Sequence, residues 1–149
     1  KTLFPYATLF RSIIFAPDQH LGRYLNKITG RDMILWHGSC IVHEQFSEKE
    51  LVKLKVNHPQ ALVIAHPECP QNLLMHADHI GSTSSLLKFV ADHQGAEFIV
   101  LTEPHIIHQM RQKNPTAKFI AITSARKPSK TAIVKQNSPA FPPRRWRIW

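Results

Sequence analysis

A histidine, a carboxylate and a thiol stand together in His66-Pro67-Glu68-Cys69-Pro70, directly after the apolar run Leu62-Val-Ile-Ala65. An imidazole and a carboxylate two residues apart suit proton transfer near neutral pH. A thiol, once ionised, binds metal or attacks carbon. A second cysteine, Cys40, lies in the turn His37-Gly-Ser-Cys40, and Gly81-Ser82-Thr83-Ser84 offers hydroxyls and backbone amides that can hold a carboxylate or phosphate. The chemistry available is acid–base work on an anionic substrate, with a thiolate nearby.

Each residue also has a plainer use. Thr83 can be a helix N-cap, and Glu68 can sit favourably at a helix start. His66 can fix its turn, and Cys40 can be a small buried hydrophobe. A zinc site built from Cys69, His66 and His43 is not expected, because zinc takes four closely arranged ligands and the chain has no CxxC or HxxxH pair. His76/His79 and His105/His108 read as helix surface or helix ends.

Positioning these groups requires a repeating scaffold, and the hydrophobic pattern supplies one. Ile13–Ala16, Met33–Trp36, Leu62–Ala65, Ile80, Phe98–Leu101 and Lys118–Ile122 read as short strands. Between them run helical periods. Leu21, Tyr24, Leu25 and Ile28 precede Gly30, which suits a helix C-terminus. Ser47-Glu-Lys-Glu50 reads as a capping box before Leu51, Val52 and Leu54, expected to face inward. Pro70 suits the first turn of a helix carrying Leu73, Leu74 and Ala77. Later helices present Leu86, Leu87 and Val90, then Ile106, Ile107 and Met110.

Strands alternating with helices imply right-handed βαβ crossovers and a parallel sheet. The expected fold is α/β, a three-layer αβα arrangement of repeating βα units around a short parallel sheet. In such a sheet all strand-to-helix turns share one edge. That edge would gather Asp18-Gln19, Cys40, His66 and Glu68, Ser82-Thr83 and Thr102-Glu103.

Charge narrows the partners. Of the net +9, residues 123–149 carry seven Lys/Arg and no acid, residues 1–12 add Lys1 and Arg11, and residues 13–122 are neutral. All ten histidines lie in that neutral stretch. Basic charge confined to the ends argues against nucleic acid as partner of the folded part. Two cysteines make no disulfide framework, no run is long enough to span a membrane, and no signal peptide is evident. A cytoplasmic protein is expected. Residues 1–12 read as a non-native or disordered leader, and 123–149 as a disordered basic tail, with out-of-frame translation as an alternative origin.

Pro17-Asp-Gln-His-Leu-Gly-Arg-Tyr24, Gly38-Ser-Cys-Ile-Val-His43, His66-Pro-Glu-Cys-Pro70, Ala77-Asp78, Gly81-Ser-Thr-Ser84 and Thr102-Glu103 together resemble quinolinate synthase. The resemblance is collinear over residues 13–122. It implies a transferase of NAD biosynthesis that condenses iminoaspartate with dihydroxyacetone phosphate, with a 4Fe-4S cluster as Lewis acid. It implies that Cys40 is a cluster ligand. His66 and Glu68 would be the acid–base pair, His66, Pro67 and Glu68 substrate-binding, and Ser82 with Thr83 a substrate-carboxylate loop. Cys69 matches no ligand of that family.

The family's members are longer, with three similar αβα domains around one cluster. On this resemblance residues 13–40 end one domain and 41–122 form an αβα domain carrying the His-Pro-Glu and Gly-Ser-Thr turns. The family's other two cluster cysteines have no counterpart here. The expectation is a truncated segment that neither holds the cluster nor catalyses alone. The alternative is a small α/β module that binds dicarboxylate or phosphate without catalysis.

Overall fold

A computed structural model describes residues 12–122; the expected leader (Ser12 apart) and basic tail lie outside the described residues. In chain order the elements are β1 (Ile14–Phe15), α1 (Gln19–Thr29), β2 (Ile34–Leu35), α2 (Ile41–Glu44), α3 (Glu48–Asn57) and β3 (Leu62–Ala65). Then follow α4 (Gln71–Leu74), β4 (His79–Ile80), α5 (Thr83–Asp92), β5 (Glu97–Leu101), α6 (Ile106–Lys113) and β6 (Lys118–Ala121).

β3 to β6 form one parallel sheet in the order β4-β3-β5-β6. The connection from β3 to β4 runs one way, and those from β4 to β5 and β5 to β6 run the other. Right-handed crossovers then put α4 on the opposite face from α5 and α6. The core divides accordingly. Val63, Ala65, Ile99 and Leu101 pack with Leu51 of α3 and Leu73 of α4. Ile64, Phe98 and Val100 pack with Leu86 and Val90 of α5 and with Ile106, Ile107 and Met110 of α6. Leu62–Ala65 is apolar throughout because alternate residues serve opposite buried faces, the signature of a central parallel strand. The expected three-layer αβα arrangement is what forms.

β1 and β2 make a separate two-stranded parallel sheet, with Ile14 opposite Ile34 and Phe15 opposite Leu35. Gly22 of α1 lies against it so closely that a Cβ there would meet Leu35 Cδ2 at 2.5 Å. Only one face is covered. Ile14 (74% exposed), Ile34 (59%) and Trp36 (65%) lie open.

Local signals act as the sequence suggests in α1. The Asp18 carboxylate caps its first turn, accepting from Leu21 N at 2.8 Å, and Gly30 ends it at φ 66°, a left-handed conformation that favours glycine. Two expectations need correction. Ser47 is the N-cap of α3, but its side chain makes no capping bond and Glu50 lies 3.7 Å from Lys53, so no capping box forms. Val52 is exposed rather than inward, since α3 buries only Leu51 fully. Ile28, near the end of α1, is exposed and lines a surface cleft.

Asn114 ties the far end of the sheet together. Fully buried, it donates to Val90 O and His93 O at 2.9 Å each, and its Oδ1 accepts from Thr116 Oγ1 at 3.1 Å.

Candidate active site

β3 and β5 are neighbours whose following loops leave toward opposite edges of the sheet. Where strand order reverses in this way, the loops part and leave a crevice at the strands' carboxyl ends. A cleft of about 360 Å³ opens there, lined by Cys40, His43, His66, Glu68, Thr83 and Thr102, among others. A larger cleft, about 450 Å³, lies beside Arg23, Lys27, Gln71 and Met75. It reaches the end of β4 at Ile80 but has no carboxylate in its wall, whereas the smaller cleft gathers an imidazole pair, carboxylates, hydroxyls and a thiol and is the better site.

His66 continues β3, its N–H donating to Leu101 O of β5 at 3.0 Å. The turn then brings Glu68 back: its N–H donates to His66 Nδ1 at 3.4 Å, and its Oε2 lies 3.7 Å from the same nitrogen. With Nδ1 accepting, a neutral His66 carries its proton on Nε2. Both side chains are half-buried, held in place yet open to the cleft.

Cys40 is held by its backbone. Asp18 is buried, and while its Oδ1 caps α1 its Oδ2 accepts from Cys40 N at 2.9 Å. His20 Nε2 lies 2.6 Å from Glu44 Oε1, and this hydrogen bond is the main cause holding the Glu44 carboxyl below its ordinary range. The start of α1 thus braces the short α2 from both ends.

His43 lies beneath these groups, only 6% exposed. Its ring stacks on His66 with centroids 5.2 Å apart and meets Phe46 edge-on. Nδ1 stands 3.3 Å from Glu68 Oε2 but out of hydrogen-bond alignment, and neither ring nitrogen has a hydrogen-bond partner. Burial, then the neighbouring His66, lowers the His43 pKa from 6.5 against the opposing pull of Glu68, Asp18 and Glu103. His43 is therefore neutral near pH 7. Its ligand atoms, Cys40 Sγ and a Glu68 oxygen lie within 4.8 Å of one another.

Cys69 has a different fate. It is fully buried, its thiol donates to Leu101 O at 3.2 Å, and burial pushes its pKa up to about 12. It packs as a core residue.

Comparison with known proteins gives this arrangement a lineage. Residues 6–138 match the family model described as quinolinate synthetase A protein. The chain belongs to that family. It is similar to quinolinate synthase of Trichodesmium erythraeum, 63% identical over 108 residues, which are 72% of this chain and 33% of the relative. Against the Synechocystis quinolinate synthase it is 58% identical over 112 residues, 75% of this chain and 35% of the relative. With the Prochlorococcus marinus enzyme, identity is 54% over 112 residues, 75% and 34% respectively. The matched stretch spans about a third of the length of these quinolinate synthases.

Of the residues named from sequence, Cys40, His66, Glu68 and Thr83 line the one cleft, as do Thr102 and Glu103. Pro67 is buried within its turn, and neither it nor Ser82 forms the wall. Ser82, not Thr83, is the N-cap of α5, with its hydroxyl accepting from Ser85 N at 3.4 Å. That corrects the capping role considered for Thr83, which begins the helix and faces the cleft. Gly81 makes the tight approach possible: a Cβ there would meet Ser85 Oγ at 2.5 Å. Sequence reasoning undervalued His43. The available signal was its spacing, three residues from Cys40 across one turn of α2.

A 4Fe-4S cluster is held by several cysteine thiolates. This chain has two cysteines, and Cys69 is committed to the core. Cys40 alone does not fit the cluster. Among the described residues no helix is long and apolar enough to cross a membrane.

Proposed function

We propose that this chain is the part of a quinolinate synthase that carries the acid–base edge of the active site. The whole enzyme would be a cytoplasmic transferase acting on iminoaspartate and dihydroxyacetone phosphate to form the pyridine ring of quinolinate for NAD. The observation that carries this reading is the meeting of His66, Glu68 and Thr83 in one cleft at the strand-order reversal, in a chain of this family.

The residues divide the work by their chemistry. The first turn of α5 offers unpaired backbone N–H groups, and the helix dipole adds positive potential, so a substrate carboxylate would sit against Thr83. Forming an imine, shifting its double bond and eliminating water each require a proton to be removed or delivered. His66 Nε2 would donate, and the Glu68 carboxylate would accept, held within reach by its backbone bond to the same ring. Such groups typically contribute 10²–10⁴-fold each.

The cluster thiolate of the family would come from Cys40, with the remaining thiolates supplied by other parts of the longer protein. We assign residues 13–40 to the end of a preceding domain, whose remainder would cover the open face formed by Ile14, Ile34 and Trp36. On this reading the 149 residues alone hold no cluster and form no quinolinate.

A transplant tests the proposal. Residues 13–122 replace the matched stretch of the Trichodesmium quinolinate synthase, and quinolinate formation is assayed after anaerobic cluster reconstitution. The chimaera should be active, and His66→Ala or Glu68→Gln should lower turnover by two or more orders of magnitude. A folded, cluster-loaded chimaera whose activity ignores both substitutions would overturn the assignment.

A further inference from the structure

The turn that would receive the substrate carboxylate is held from behind by two side chains that do not line the cleft. We propose that His79 and Ser85 are positioning residues for that turn: the hydrogen bond between them straps Gly81–Ser84 into the conformation that presents the start of α5 to an anion. The inference rests on the carboxylate-binding role proposed above for Thr83.

His79 belongs to β4 and Ser85 to the first turn of α5, six residues further on, so the two flank the turn. His79 Nε2 lies 2.9 Å from Ser85 Oγ. With the ring proton on Nδ1 the nitrogen accepts from the hydroxyl, and with the proton on Nε2 it donates, so either tautomer closes the strap. Helical side chains lean toward the start of their helix, which carries Ser85 back over the turn. A Cβ at Gly81 would meet Ser85 Oγ at 2.5 Å and His79 Nε2 at 3.3 Å. The strap therefore crosses directly over the glycine, and a residue with a side chain would push it open.

The backbone of the turn is arranged to match. Gly81 N donates to Ala65 O at 3.1 Å, and Ser85 N donates to Ser82 Oγ at 3.4 Å. Both ends are thus committed, and the first-turn amides of Thr83 and Ser84 between them are left for an anion. A turn ordered in advance binds its ligand more tightly, because association does not have to freeze it.

The strap also has a firm anchor. The His79 ring stacks on Phe89, centroids 4.3 Å apart and planes 4° apart, and Phe89 meets the fully buried Phe98 edge-on. Burial, then His93, lowers the His79 pKa from 6.5, so the ring is neutral near pH 7. Packing on Phe89 would be served by any flat ring. The bond from Nε2 to Ser85 bears on the turn alone.

The test compares succinate affinity, read from backbone amide shifts of the full 149-residue chain, across four variants. His79→Phe keeps the stack and removes the bond, Ser85→Ala removes the hydroxyl, and the double variant removes both. His79→Gln restores a hydrogen-bonding nitrogen near the Nε2 position. Each single loss should weaken binding by roughly three- to tenfold, the range one net hydrogen bond supports. The double variant should be no weaker than either, since both changes act on the same bond. His79→Gln should bind within about twofold of wild type, and His79→Phe should melt no lower than wild type, which separates lost positioning from lost folding. In the Trichodesmium chimaera the same substitutions should raise KM for the dicarboxylate substrate with kcat little changed, the mark of lost ground-state binding. Unchanged affinity in both single variants, additive losses in the double variant, or a kcat that falls at constant KM would each overturn the inference while leaving Thr83 as the carboxylate site. A wild-type chain whose Thr83 amide ignores succinate would overturn that reading and the strap with it.

Discussion

The two parallel sheets of this chain share a pattern and differ in environment. Both consist of short apolar strands joined through helices. In the β3–β6 sheet each face meets two helices, and Val63, Ile64, Phe98, Ile99 and Leu101 are fully buried. In the β1–β2 sheet one face meets α1 and the other meets nothing among the described residues, leaving Ile14, Ile34 and Trp36 open. Parallel sheets are ordinarily covered on both sides. Periodicity thus decides where a strand forms, but burial depends on which surfaces are present to receive it. The reactive edge belongs to the complete sheet, and from the chain before α3 it takes Cys40, with its Asp18 tether, and Val42 and His43 of α2.

The largest test of that contrast is core truncation. Phe98→Ala should cost about 3–5 kcal/mol in urea denaturation, because a fully buried ring leaves a cavity between β5 and α5. Ile34→Ala, in an equally apolar strand, should stay within about 0.5 kcal/mol. Similar losses at both positions would erase the distinction between the two sheets.

Asn114→Ala should follow, at about 1–3 kcal/mol, since it removes the amide's two bonds to Val90 O and His93 O and leaves Val90 O only the 3.3 Å bond from His93 N. The folding midpoint measured by circular dichroism checks it.

Next comes pH. His43 prefers its neutral form when folded, mainly because of burial, while the unfolded imidazole takes a proton below about 6.5. The unfolded state then binds more protons, so stability falls as pH drops from 6.5 toward 5. His43→Leu should flatten this slope in a pH series of melting curves. His79, whose pKa burial also lowers, should leave a smaller residual slope of the same sign.

The smallest effect on stability should accompany a clear effect on solubility. Ile14→Thr with Trp36→Gln should leave the melting temperature nearly unchanged while reducing self-association in light scattering, because the pair interrupts an exposed apolar face. An intact chain that is already monodisperse at high concentration would remove the need for a covering surface.

Much of the scaffold was legible from the sequence because its signals are local. Asp18 and Gly30 bracket α1, and Leu62–Ala65 announces a central strand. The shared edge followed from topology, which is why Cys40, His66, Glu68 and Thr83 converge as expected. What was not legible depends on neighbours distant in sequence. Ser47 looks like half of a capping box, yet Glu50 turns toward Lys53. Ser82 and Thr83 are equally good caps on paper, and only the tight Gly81 turn selects between them. Cys69 sits beside the reactive pair in sequence but points into the core. His43 looks like one of ten histidines until its ring stacks on His66, meets Phe46 edge-on and loses its solvent.

The central claim is that the carboxyl edge of β3 and β5 receives the substrate, and not the larger cleft beside α1. Titrating the isotopically labelled chain with succinate, a four-carbon dicarboxylate, and following backbone amides by NMR tests this directly. The account predicts saturable shifts at Thr83, Ser84, His66 and Thr102 that vanish in Thr83→Pro or His66→Ala. Shifts centred instead on Arg23, Lys27 and Gln71 would contradict it.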